Sequence, residues 1–165
     1  MVLNRQRRVR VPVADLEKFL ARARRNLRLP AGSLTVCLVT NAEIARWNRS
    51  YRGKSGPTDV LSFPVDGERQ RHTKQRGSRA HYKLVSSPSF ASSTSSTSST
   101  SYLGDIAIAP AVARRNARRF GRTFKDEMRI LILHGMLHLM GYDHETDAGQ
   151  MDRRERRLRR ALGLA

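Results

Sequence analysis

The chain has 165 residues, enough for one domain with its own core and too few for two ordinary ones. Lys and Arg number 32 against 14 Asp and Glu, a formal net charge of +18 that points to a polyanionic partner, nucleic acid first, with a solubility surface as the plain alternative. The single cysteine excludes an internal disulfide, and no apolar stretch is long enough to span a membrane. The basic start, MVLNRQRRVRVPV, lacks the apolar core of a signal peptide, so the expected location is the cytoplasm.

Residues 9–13 read as a short strand with basic side chains alternating outward and Pro12 at its end. Asp15 suits the first turn of a helix over 15–28, in which Leu16, Phe19, Leu20, Ala23 and Leu27 share a face. Leu29-Pro30-Ala31-Gly32 breaks it. Residues 34–40 are apolar enough for a central strand, with Cys37 as a buried thiol. Asn41 is positioned to cap a helix over about 42–51. A glycine-rich basic loop follows, then a strand stopped by Pro64.

Residues 66–102 differ in kind. A charged stretch passes into low-complexity Ser/Thr, with too little apolar surface to order itself, and reads as a long flexible insertion between two strands. Its His72 and His81 are not expected to bind metal. Alternating apolar residues from Leu103 to Ala109 predict a strand, and Pro110 opens a helix to about Phe120. After the Gly121-Arg122 break, Thr123 caps a further helix with Asp126 and Glu127 in its first turn. The last helix begins at Thr146 or Asp147, with Met151, Leu158, Ala161 and Leu162 on its apolar side and arginines over most of the rest.

The chemistry concentrates in LHGMLHLMGYDHE, residues 133–145. An apolar run without proline predicts a helix through His134 and His138, which then project from one face, one turn apart. Gly141 can end the helix with positive φ, and the turn through Tyr142 and Asp143 folds His144 back toward the pair. Three imidazoles around one point, with room for a water, suit a catalytic zinc, although copper, nickel and iron accept the same donors. Gly135 stands where the zinc proteases of pattern H-E-x-x-H carry their glutamate base, so a peptidase reading loses its base.

Three separated stretches resemble the YbeY family, bacterial metallo-endoribonucleases of ribosomal RNA maturation. The run from His134 to His144 matches H-G-x-x-H-L-x-G-Y-D-H, the run from Asn48 to Pro64 matches N-x-x-Y-R-x-K-x-x-P-T-D-V-L-S-F-P, and Leu103 to Ile106 matches L-G-D-I. The resemblance implies an α+β fold over one domain, 1–165: a small mixed sheet of about four strands surrounded by helices, with the metal at a helix end and the turn after it. The insertion is a departure, since the family has a short variable connection there. Also implied are one zinc ion on His134, His138 and His144, and Arg52 as the catalytic arginine beside the metal cleft. A guanidinium suits that place because it binds phosphate bidentately and is always charged; Lys54 is a weaker candidate for the same groove. Asp143, Glu145 and Asp105 are candidates for a general base or for a group orienting a ligand imidazole, and Asp105 has the alternative of fixing neighbouring backbone.

The function implied is a single-strand-specific zinc-dependent endoribonuclease. It would act in maturation of the 16S rRNA 3′ end and in ribosome quality control, with the small ribosomal subunit and a ribosome-associated GTPase as partners. Two other readings stand beside it: a non-catalytic, zinc-stabilised ribosome assembly factor, and a zinc hydrolase of another substrate such as a peptide.

Overall fold

Nine elements follow one another in a computed structural model that describes residues 1–65, 102–144 and 147–164. They are β1 (Val2–Asn4), α1 (Val13–Asn26), β2 (Leu34–Leu38), α2 (Asn41–Arg52), β3 (Val60–Pro64), β4 (Gly104–Ile108), α3 (Pro110–Arg119), α4 (Phe124–Leu139) and α5 (Gln150–Ala161). The insertion expected at 66–102 lies outside the described residues except for Tyr102, as does Glu145.

The sheet has the order β1-β2-β4-β3. The first three strands run parallel, and β3 lies antiparallel against β4 at the edge. This is the mixed four-stranded α+β arrangement that the resemblance implies. Every residue of β2 and β4 is buried, as central strands covered on both faces require. On β3 burial alternates, with Leu61 and Phe63 turned in, and Pro64 ends this edge strand, where proline's missing N–H costs least.

The sheet's two faces hold different cores. Val36, Ile106 and Ile108 pack with α1 (Leu16, Phe19, Leu20) and α4 (Met128, Ile132, Met136) in the larger one. Cys37, Leu61, Phe63 and Ala107 pack with Ile44 and Trp47 of α2 in the smaller one. Burial pushes the Cys37 thiol up to about 12, which makes it an inert core group.

Two local expectations fail for identifiable reasons. Residues 9–12 form no strand. The Gln6 side chain donates to Val9 O (2.9 Å) and accepts from Val9 N–H (2.9 Å), so this backbone is satisfied without a ladder. The strand forms earlier instead, where Val2 to Asn4 pair with Val36 to Leu38. The cap of α2 is Thr40 rather than Asn41. Glu43 N–H donates to Thr40 Oγ1 (3.2 Å) and Thr40 N–H to Glu43 Oε2 (2.9 Å), a reciprocal capping box that a one-residue shift would break.

Candidate metal centre

Helix α4 is the central strut. Thr123 caps it by accepting Asp126 N–H (3.1 Å), and Asp126 and Glu127 complement its positive end. It touches β3, β4, α1, α3 and α5, so most of its circumference is apolar and buried. His134 and His138 occupy the partly exposed strip that remains.

Gly135, between them, faces the sheet. A Cβ there would sit 2.7 Å from Ile106 Cγ2, and Ser62 Oγ donates to the Gly135 carbonyl (3.3 Å). The helix therefore presses on the β3–β4 pair where only glycine fits. A glutamate at this position would have to enter the sheet core, so the protease base is excluded by packing as well as by identity.

The helix ends at Leu139 and Gly141 takes φ +90°. Tyr142 N–H donates to Leu137 O (3.1 Å) and Gly141 N–H to His138 O (3.0 Å), which closes the last carbonyls and turns the chain back. That turn delivers His144. The three ring centroids stand 4.7, 5.4 and 5.3 Å apart, and one nitrogen from each ring lies within 4.8 Å of the others. The spatial convergence expected of the trio is present.

Donor chemistry fits a cation. His134 Nε2 and His138 Nε2 are 3.1 Å apart, near the ~3.3 Å separation of two ligands on ~2.0–2.1 Å bonds at a tetrahedral angle. Burial, then repulsion from His134 and His144, lowers the His138 pKa, and the Asp143 charge and hydrogen bonding to the Tyr142 backbone only partly oppose this. Two imidazole nitrogens this close, with burial disfavouring the proton on His138, are suited to sharing a metal ion.

A carboxylate outside the motifs completes the arrangement. Glu155 of α5 is buried, and its Oε2 lies 3.0 Å from His134 Nδ1. Arg159, one turn further along α5, donates to Oε1. Burial alone would raise the Glu155 carboxyl, but the His134 hydrogen bond and Arg159 together outweigh it and hold the group below its ordinary value. The carboxylate thus accepts a hydrogen bond from Nδ1–H and leaves Nε2 turned toward the other rings, a support common behind metal-bound histidines. Sequence reasoning missed it. The available signal was an acid at the fourth position after Met151 and the third before Leu158, on the apolar stripe of an arginine-covered helix. Ala161, expected on that stripe, is exposed, and Leu164 is buried instead.

The other expected site residues are placed as follows. Asp143 lies in the turn, where its charge acts on His138. Arg52 is the last residue of α2, exposed, before the left-handed Gly53. Helix α2 covers the sheet face opposite α4, and both helices border the edge strand β3. Asp105 is not brought to the trio. It shares the α2 side of the sheet with Phe63 and Ala107, where Tyr102 Oη donates to it (2.6 Å) and stands 2.8 Å from Thr35 Oγ1. Its contact is with the Tyr102 side chain, which also reaches Thr35.

The sequence model for Endoribonuclease YbeY matches residues 2–163. The chain belongs to that family. An Endoribonuclease YbeY from Sulfurovum sp. is 33% identical over 162 residues, which cover 98% of this chain and 90% of the relative. Another, from Solibacter usitatus, is 36% identical over 149 residues, covering 90% and 78%. A solution structure of a Thermotoga maritima protein superposes with a TM-score of 0.55 at 25% identity, covering 98% of this chain and 89% of that one. In this YbeY-family chain the trio is, among the described residues, a cluster compatible with a metal ion.

Proposed function

We propose that the chain is a zinc-dependent endoribonuclease that cuts single-stranded ribosomal RNA, acting in the cytoplasm in maturation of the 16S rRNA 3′ end and in ribosome quality control. The observation that carries this is the convergence of His134, His138 and His144 with Glu155 behind them. The family's name and the +18 charge support the choice of RNA over other substrates. Zinc is preferred because hydrolysis needs no redox chemistry and imidazole donors suit it.

When bound, the ion would bring a water's pKa toward neutrality and polarise a phosphate oxygen. The chain's own residues do the rest. Glu155 holds His134 in one tautomer. Arg52 is the group to clamp the scissile phosphate with two parallel hydrogen bonds, countering charge as it develops. Asp143 accepts a proton or steadies the His138 ring. Aromatic residues are only 6% of the sequence, too few for extensive base readout, so the small ribosomal subunit and a ribosome-associated GTPase supply site choice.

The test combines metal analysis with cleavage of labelled single-stranded RNA. His138→Ala should lose both metal and cleavage. Arg52→Ala should stay folded and metallated while cleavage falls by roughly 10²–10³-fold, the scale for removing one charge-stabilising donor. Normal cleavage by Arg52→Ala would end its phosphate role. Metal-loaded protein that never cuts RNA yet binds small subunits would be a non-catalytic assembly factor, and cleavage of casein-like peptides would make it a hydrolase of another class.

A further inference from the structure

Phe120, at the C-terminal end of α3, is 51% exposed, the one exposed aromatic among the described residues. A single exposed apolar side chain is ordinary. Its surroundings are not. The guanidinium of Arg119 lies 5.6 Å from the ring centre and that of Arg122 lies 5.2 Å from it, both within cation–π range. Arg115 and Arg118 are exposed on the same helix.

The ring stands on a fixed turn. Phe120 N–H donates to Asn116 O (2.9 Å) and Arg122 N–H to Ala117 O (2.8 Å), with Gly121 at φ +63° between them. Arg122 is further anchored by the buried Glu127 carboxylate at 3.2 Å. Asn116, one turn before Phe120 and so on the same side of α3, donates to Asp59 Oδ2 (2.9 Å). Asp59 belongs to the loop between Arg52 and β3, so the ring's side of α3 is tied to the loop that starts at Arg52. Phe124, four residues after Phe120, opens α4, and His134 lies ten residues further along it, ~15 Å of helix.

We propose that Phe120, with Arg119 and Arg122, is a stacking platform for one base of single-stranded RNA, upstream or downstream of the cleaved bond. This rests on the RNA reading above. A base takes the phenyl face in place of a guanidinium resting on it, and the two guanidiniums turn to the flanking phosphates, a pairing that binds single strands with little sequence preference. The positive flank makes a polyanion the matching partner.

The experiment uses the full, metal-loaded chain with Phe120→Ala, Phe120→Tyr and Phe120→Trp, and labelled single-stranded RNAs of about 20 and about 3 nucleotides, either side of the usual single-strand site size. Phe120→Ala should raise KM for the long RNA by ~5-fold or more, the effect of one lost stack, with kcat and the short RNA unchanged. Phe120→Tyr should behave as the parent chain. The fluorescence of Phe120→Trp, corrected for Trp47, should be quenched by the long RNA and not by inorganic phosphate. Unchanged KM for Phe120→Ala, or an equal loss on both RNAs, overturns the platform and leaves the RNA reading standing. Failure of the parent chain to bind or cut either RNA overturns both, and quenching by anionic vesicles or an acidic peptide instead of RNA would reassign the surface.

Discussion

Asp105 and Glu155 are buried to nearly the same extent, 9% and 6% exposed, the first on the α2 side of strand β4 and the second on helix α5, which packs against α4 on the other side of the sheet. Burial pushes both carboxyls toward higher pKa, but the outcomes differ. Asp105 has a phenol donor, which partly opposes burial, and its carboxyl stays above the ordinary value. Glu155 has an imidazole N–H and a guanidinium, and its carboxyl stays below. A neutral donor satisfies lone pairs; a cation also offsets the cost of keeping charge out of water. One acid therefore joins a side-chain network that spans β2 and β4, and the other keeps its charge directed at the His134 ring.

Removing each acid should sharpen that contrast. Glu155→Ala should weaken metal binding by about 10–100-fold, as loss of a carboxylate behind a ligand histidine does, read by competition with a chromogenic chelator. Parent-like affinity would reduce Glu155 to a packing role. Gly135→Ala tests the contact between α4 and the sheet. Its Cβ meets Ile106, so the variant should lose about 1–3 kcal/mol of stability in thermal or denaturant unfolding. A variant as stable as the parent would mean that the helix is not pressed on the sheet.

The smallest effect belongs to Asp105→Asn, which should leave metal affinity unchanged and alter only the pH profile of stability. A carboxyl raised in the folded state binds its proton more tightly there. Its stabilising contribution is complete below the unfolded carboxyl's pKa and is lost as pH rises through the folded value. The asparagine cannot ionise, so its unfolding temperature relative to the parent should climb from acid to neutral pH. A difference that stays flat would show that Asp105 is not the group responsible.

Much of this was legible locally. The α4 signals are short-range: Thr123 before an acidic first turn, an apolar run without proline, Gly141 where the chain must turn. So is the coming together of His134 and His138. The missing parts depend on contacts that no local window contains. Val9 carries a strand-like pattern, but its backbone partner is the Gln6 side chain. Both faces of β4 are buried, so its alternation could not say whether Asp105 or Ile106 would meet α4. Glu155 acquires meaning only when α5 lies against α4.

That last contact also imposes an order in time. The third imidazole of the motif is made at residue 144, but the acceptor for the first is not made until residue 155, in the last helix. A ribosome still short of α5 carries all three rings with one of them unguided, and a chain cut at residue 149 would remain in that condition permanently. The contact behind the first imidazole thus cannot form before α5 has been made.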